Sequence, residues 1–380
     1  MTRVSHPLLV DAAGRRLARV GGASERAAFP NPHLEWRREG MGAAAPTDEF
    51  ITAVLPIDIT GRRFVARGAA GATDRSAVAD SQAVANSVLF DAARAYHLAA
   101  LGASLQLAAE RQRTALVEIA RYDSTRWREG AASEGAALRT SLEADRGRAK
   151  AALVAVDAER LHSALAVAVG VAADSLGDPM PLGVESMLPA LPALPALDSL
   201  QSVAVAQRPE LRAAMAAVEA AERRVKVERL VAVGDVSIGG GTRNSGGDRG
   251  GTISIGMSIP LLDRNGPARQ VAHGELLQAR SALRQAELQV RAEVATAAAA
   301  YERLRSNLLP LAPGAGARGA EVAQIVQAAY REGGATLFEL LDAQRAAAEL
   351  DEAALRWITD LQLARLDLLQ ALGEPLPEAF

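Results

Sequence analysis

Side chains that commonly carry chemistry are scattered along this sequence, and their spacing favours neither catalysis nor metal binding. Cysteine is absent, which excludes disulfides, thiolate metal sites and a cysteine nucleophile. No nucleophile–base pair stands out, so we predict no enzyme and no cofactor. The histidines show no ligand spacing, which argues against a metal centre; they are His6, His33, His97, His162 and His273.

One glycine-rich segment, GGTRNSGGDRGG at 240–251, has the composition of a phosphate-binding loop but not its signature. It contains no GK[ST] sequence, and it precedes a strand-like segment. We interpret it as a flexible connection between two strands of a hairpin. Acidic and basic residues are interspersed and the net charge is −3, so no basic stripe is present for nucleic acid.

Two nearly identical heptapeptides interrupt long alanine-rich segments: WREGAAS at 127–133 and YREGGAT at 330–336. Glycine allows a chain to reverse, and a hydroxyl side chain can cap the helix that follows. These patterns predict two helix turns. The residues that would form them are Gly130 and Ser133 in the first turn, and Gly333, Gly334, Thr336 and Leu337 in the second.

Long helices are predicted where proline is missing, because proline costs about 3 kcal/mol inside a helix. No proline occurs between Pro56 and Pro179, or between Pro313 and Pro375. A proline-rich connector at 171–205 and the segment LLPLAPGAGARG at 308–319 would interrupt regular helix. The predicted helices cover about 76–127, 133–169 and 337–372, with another beginning at Pro267.

Short segments with a period of two predict strands near 33–39, 49–57, 233–240 and 252–260. In the last of these, one face would carry Ile253, Ile255, Met257 and Ile259, and the other Thr252, Ser254 and Ser258. Four strands cannot close a barrel, whereas three chains would supply twelve. The strands therefore favour an oligomer.

The chain is predicted to be a duplication, because matching landmarks recur at 202 to 205 positions. They include HPLL and RPEL, the two REG turns, and the pairs Pro56 and Pro260, Tyr96 and Tyr301, and Gly170 and Gly373. The first repeat would cover 1–205 and the second 206–380. Each would contain a helix, a β-hairpin and a long helical hairpin.

Several motifs resemble those of the TolC-like outer-membrane efflux channel family over nearly the whole length. They are RPELRAAMAAVEAAERRV, IPLLDRNGPARQVAHGEL, YREGGATLFELLDAQRAAAEL and DLLQALGEPLP. PLLDRNGP and LLDAQR look closest to the branch that serves cobalt, zinc and cadmium exporters. Aromatic residues expected at the ends of membrane strands are sparse, with only Trp36, Phe50 and Phe64 nearby.

The resemblance implies a mainly α protein with a small β part. Its homotrimer would combine an α-barrel tunnel in the periplasm with a shared 12-stranded β-barrel in the outer membrane. It also implies a passive exit duct that works with a periplasmic adaptor and an inner-membrane RND-type pump. The two helix turns would then dock the adaptor, Ile253, Ile255, Met257 and Ile259 would face lipid, and Asp342 would be a candidate for the pore constriction.

Heavy-metal cations are the cargo that this branch implies. The start of the chain lacks the apolar stretch of a signal peptide, so it is either cytosolic or begins downstream of its export signal. The alternative function is a soluble or peripheral coiled-coil scaffold. The strands discriminate between the two, because a scaffold has no use for an alternation that suits lipid.

Overall fold

The computed structural model describes residues 6–40, 47–179, 181, 192–308, 310–311 and 314–376. These residues form a mainly helical protein with one small sheet. The helices are α1 (Pro7–Glu25), α2 (Arg62–Arg128), α3 (Glu134–Val169), α4 (Leu197–Gln207), α5 (Pro209–Val231), α6 (Gly266–Leu308), α7 (Ala315–Arg331) and α8 (Leu337–Leu372). The strands are β1 (His33–Glu39), β2 (Asp48–Ile57), β3 (Val236–Ser245) and β4 (Asp248–Met257).

Three helical boundaries differ from the prediction. Helix α2 begins at Arg62, not near 76, because the alanine-rich segment around its early glycines already packs as helix and buries Ala66 and Ala72. Helix α4 occupies the end of the predicted connector, where no proline follows Pro195. Helix α7 resumes at Ala315, directly after the left-handed Gly314, so the predicted interruption at 308–319 was too long.

The chain divides into two compact units. The helical unit comprises the described residues of 1–10, 84–208 and 290–380, and the sheet unit comprises those of 11–83 and 209–289. Each unit draws residues from both predicted repeats, 1–205 and 206–380, so these compact units do not correspond to the repeats. The duplication itself stays a prediction.

The helical unit packs through small residues. A side chain at Gly102 would lie 3.2 Å from the Ala158 Cα, which shows how closely α2 and α3 approach. A side chain at Gly319 would lie 3.2 Å from the Ala347 Cα, so α7 and α8 are equally close. Small residues replace a thick aromatic core here. None of the helices in the described ranges combines the length and apolarity needed to cross a bilayer.

The four described strands form one antiparallel sheet in the order β1-β2-β3-β4. The segment 240–251, expected to be a flexible loop, is instead almost entirely strand, because β3 and β4 pair as far as Ser245 and Asp248. Only Gly246 and Gly247 form the turn, and both have a positive φ, as tight hairpins require. Strand β4 ends at Met257, so Ile259 lies beyond the sheet rather than within it.

Candidate functional site: two helix turns and a two-faced sheet

The first helix turn joins α2 to α3 as the sequence predicts. Gly130 has a φ of 73°, a left-handed conformation that favours glycine. The Ser133 Oγ accepts a hydrogen bond of 3.2 Å from the Ala136 amide, which caps α3. Arg126 further closes the turn, because its carbonyl accepts from the Ala131 amide at 2.7 Å.

The second helix turn joins α7 to α8 with a more complete cap. Gly333 has a φ of 80°, and the Gly334 amide donates to the Ala329 carbonyl at 2.8 Å. Thr336 and Glu339 form a capping box: the Thr336 amide donates to the Glu339 carboxylate at 2.7 Å, and the Glu339 amide donates to the Thr336 hydroxyl at 3.2 Å. The carboxylate also accepts from the Thr336 hydroxyl at 2.9 Å, and the bonds that it accepts from the Thr336 amide and hydroxyl lower the pKa of Glu339. Leu337 is the first residue of α8.

A buried contact joins the two turns. The Tyr330 hydroxyl donates a 2.8 Å hydrogen bond to the Asp123 carboxylate, whose side chain is fully buried. Burial, and then this hydrogen bond, raise the pKa of Tyr330 to about 12. The Tyr122 ring meets the Tyr330 ring edge-on, with 6.3 Å between centroids. Ile119 and Leu340 complete a small apolar cluster with Tyr330.

Sequence reasoning missed the pair Asp123 and Tyr330. Tyr330 opens the heptapeptide YREGGAT, but Trp127 occupies its place in WREGAAS and is 45% exposed. The comparison of the two turns therefore drew attention to the shared glycines. The signal that could have found the pair is the difference between the turns, not their similarity.

Asp342 lies in the second turn of α8 and is exposed in the single chain. Its carboxylate forms an ion pair of 2.5 Å with Arg345, one helical turn further along. Surface pairs of this kind contribute little to stability. The ion pair accounts for Asp342 within one chain, and a position at a pore constriction stays a proposal.

The strand register sorts the sheet into an apolar face and a polar face. Trp36 pairs with Ile51, Leu55 with Ile238, and Ile238 with Ile255, and directly paired residues share a face. The apolar part of this face carries Leu34, Trp36, Ile51, Ala53, Leu55, Ile57, Val236, Ile238, Ile253, Ile255 and Met257. Beyond Trp36 and Ile51 the same face continues with Arg38, Glu49, Asn244 and Arg249. Ile253 and Ile255 are 86% and 76% exposed, so no other described part of the chain covers them.

The polar face carries charged, hydroxyl and small residues. It comprises His33, Glu35, Arg37, Glu39, Asp48, Phe50, Thr52, Val54, Ser237, Gly239, Gly241, Arg243, Thr252 and Ser254. Phe50 lies here between Arg37 and Arg243, whose guanidinium carbons are 4.8 and 5.7 Å from its ring centroid. Phe50 is therefore not a residue of a lipid-facing girdle, as its place near a strand end had suggested.

The sheet has two open edges. Among the described strands, β1 pairs only with β2 and β4 pairs only with β3. Unpaired strand edges invite pairing with another chain, and they are not tolerated in lipid. The described residues contain no group of three or more histidines and carboxylates that could hold a metal ion.

Two of three comparisons with known proteins find similar molecules. Residues 200–374, just under half of the chain, match the family model described as outer membrane efflux protein. The comparison with curated proteins finds no relative. Solved structures share the fold over almost the full length, each with sequence identity below one quarter.

Three of these structures are described as outer-membrane proteins or channels. The Campylobacter jejuni CmeC outer membrane channel has a TM-score of 0.81 at 15% identity, covering 100% of this chain and 85% of its own. The Vibrio cholerae outer membrane protein VceC has a TM-score of 0.78 at 18% identity, covering 99% and 95%. The open-state Neisseria gonorrhoeae MtrE channel has a TM-score of 0.78 at 19% identity, covering 99% and 88%.

Proposed function

We propose that this protein is the outer-membrane duct of an efflux system, and that it works as a homotrimer. The observation that carries the proposal is a two-faced sheet with two open edges. Three copies would close their edges on one another into a barrel of twelve strands, with the apolar face toward lipid and the polar face toward a lumen. The family match over 200–374 and the shared fold support the same function.

A soluble coiled-coil scaffold explains the long helices but not the sheet. Such a scaffold would expose the apolar face to water, and large exposed apolar patches mark interaction sites or aggregation hazards. The duct explains both parts, because lipid covers the apolar face. The proposed function is passive transport, and we assign no catalytic role to any residue.

The helix turns are the proposed docking site for a periplasmic adaptor, which would connect the duct to an RND-type pump in the inner membrane. Gly130 and the glycines of the second turn have no side chain to cover the backbone, so a partner can approach these turns closely. No atom of the described residues lies within 4 Å of a side chain added at Gly130 or Gly333, so the described part of the chain leaves this surface open.

Divalent metal cations are the proposed cargo, on the strength of the PLLDRNGP and LLDAQR motifs. In a trimer, Asp342 would supply three carboxylates, and their field would attract cations if they face the lumen. The ion pair with Arg345 reduces that field, so the effect depends on how Arg345 is placed in the trimer.

A complementation experiment tests the duct and its cargo together. Deleting the gene is expected to sensitise cells to zinc, cobalt or cadmium more than to dyes and antibiotics. The wild-type gene should restore resistance, whereas replacing Gly333 and Gly334 with bulky residues should restore the trimer but not resistance. If the deletion strain tolerates every compound as well as the wild type, the proposed duct is contradicted. If it becomes sensitive to drugs but not to metals, the cargo is drugs and not metal cations.

A further inference from the structure

The apolar face of the sheet is short for a membrane. From the layer of Trp36 and Ile51, which is level with Gly251, to Met257 there are six residue steps along β4. At a rise of about 3.3 Å per residue this is roughly 20 Å along the strand, and roughly 15 Å along the membrane normal at a tilt of about 40°. The apolar band of outer-membrane barrels is about 25 Å tall.

Exposed apolar residues continue this surface beyond the strand ends. Ile259 keeps the alternation of Ile255 and Met257 and is 64% exposed. The chain then turns at Pro260, where the Leu261 amide donates to the Ile259 carbonyl at 2.9 Å, and Leu261 in this turn is 75% exposed. Leu262 is fully exposed. Two more residue positions to Ile259 add about 5 Å along the membrane normal, and the turn that follows adds the exposed Leu261 and Leu262 to this apolar surface.

The segment that carries these leucines is anchored by other residues. The Asp263 carboxylate accepts from the Asn265 amide at 2.9 Å, and Asn265 has a φ of 60°. The Asn265 side chain donates to the carbonyl and the carboxylate of Glu228, at 2.9 and 2.8 Å. Glu228 is buried and also pairs with Arg26. This hydrogen-bonded turn is complete without Leu261 or Leu262, so their exposure needs another explanation.

Aromatic and cationic groups also lie where the strands end on this side. Phe29 precedes β1 and Phe64 follows β2, and both rings are more than three-quarters exposed. The Arg63 guanidinium lies 4.9 Å from the centre of the Phe29 ring. Arg264 is exposed and has no ion-pair partner among the described residues. Aromatic rings and arginines are the groups that settle at a lipid headgroup boundary.

We propose that Ile259, Leu261 and Leu262 insert into the glycerophospholipid leaflet at the end of the sheet where β2 and β4 terminate. Phe29, Phe64 and Arg264 would lie at the headgroups of that leaflet. The inference rests on the proposed function, since it needs the sheet to be in a membrane. A second copy of the chain is the other possible cover. It is disfavoured because copies meet at the strand edges, whereas Ile259 has the phase of the apolar face, which lies perpendicular to those edges.

Single-cysteine spin labels test the proposal cleanly, because the chain has no cysteine of its own. Labels at Leu262, Ile255 and Ser254 would be reconstituted as trimers in vesicles of phosphatidylethanolamine and phosphatidylglycerol. Relaxation by oxygen reports lipid, and relaxation by the nickel chelate of ethylenediaminediacetate reports water. We expect labels at Leu262 and Ile255 to respond to oxygen, with Leu262 the shallower, and the label at Ser254 to respond to nickel.

The Ile255 label separates the failure of this inference from the failure of the duct. If the Leu262 label responds to nickel, or to neither reagent, while the Ile255 label responds to oxygen, the inference is overturned and the membrane sheet stands. The first result would place Leu262 in water, and the second would place it under a protein. If the Ile255 label responds to nickel, Ile255 lies in water, and the proposal that the sheet is in the membrane is contradicted.

Discussion

Tyr330 and Asp123 link the two helix turns through one buried hydrogen bond. Among the described residues, Tyr330 is the only hydrogen-bond donor to Asp123. A buried carboxylate that loses its donor bears a desolvation cost, so removing this bond should cost more than removing an exposed one. The same bond joins the end of α2 to the end of α7, next to the two proposed docking turns. Changes at Tyr330 should therefore affect stability and docking together.

Tyr330→Phe should destabilise the helical unit by about 1–3 kcal/mol, because Asp123 stays buried without its donor. Burial raises the pKa of Tyr330 from its usual 10 to about 12, so the unfolded chain ionises first as pH rises. The stability that Tyr330 contributes is fully present below about pH 10 and is lost as pH rises through about 12, and the variant lacks this part of the alkaline fall. Denaturation at several pH values measures both effects.

Tyr122→Phe is the matched control for this experiment. The Tyr122 hydroxyl makes only a long, exposed contact of 3.4 Å with the Arg331 carbonyl. Its removal should cost little and should leave the alkaline fall in place. Equal behaviour of the two variants would show that the bond between Tyr330 and Asp123 has no special role.

Asp342→Asn should reduce the preference for cations of the trimer reconstituted in a planar bilayer, because three carboxylates would be removed from the lumen. Asp145→Asn is the control, since Asp145 forms a similar exposed ion pair with Arg148 at 2.6 Å. Reversal potentials in a salt gradient measure the preference. An unchanged value for Asp342→Asn, or an equal change for both variants, would remove Asp342 from the constriction.

Sequence reasoning succeeds for the residues of the turns and fails for their partners. Glycine with positive φ and a hydroxyl cap are local requirements, so Gly130, Ser133 and Thr336 could be identified from their neighbours alone. The contact of Tyr330 with Asp123 joins positions that are 207 residues apart. A single sequence has no local pattern that shows such a contact.

Among the elements, the sheet depends on one close approach of backbones. A side chain at Gly241 would overlap the Ile51 carbonyl oxygen, whereas a side chain at neighbouring Gly240 would meet nothing within 4 Å among the described residues. Gly241→Ala should therefore break the pairing of β2 with β3, and Gly240→Ala should be tolerated. The yield of heat-resistant trimer in membranes measures the difference, and equal yields would contradict this packing.

The faces of β4 give a second prediction at this scale. Ile255→Lys places a charge on the apolar face and should cost about 2–4 kcal/mol near the middle of a bilayer, while Ser254→Lys on the polar face should be tolerated. The fraction of each variant that assembles in the outer membrane measures the cost. Equal assembly of the two variants would contradict the assignment of the faces.

The register of the hairpin explains why its strands were predicted too short. Apolar alternation identifies 252–257 of β4, but 240–251 is dominated by glycine and polar residues, a composition typical of loops. Pairing with β2 and with each other extends β3 and β4 through that segment. Tertiary pairing overrides local propensity here, and no window of the sequence contains that information.

At the scale of the whole molecule, β1 and β4 each leave one edge unpaired among the described strands, and the proposed trimer would pair them. The long helices and the four strands could be predicted from the sequence, because proline spacing and alternation are properties of the chain itself. The number of copies could only be argued from the count of strands. The packing within one chain also joins distant segments, because each compact unit gathers residues from both halves of the sequence.

The mass of the purified protein in detergent tests the trimer most directly, provided that hydrogen exchange is measured on the same sample. We predict a particle of three times the chain mass of 39.7 kDa, with slow exchange at the amides on the outer edges of β1 and β4. Strand pairing between copies would protect these amides. A stable particle of one chain in which both outer edges are protected would contradict the shared barrel, because the edges would then be covered without a second copy.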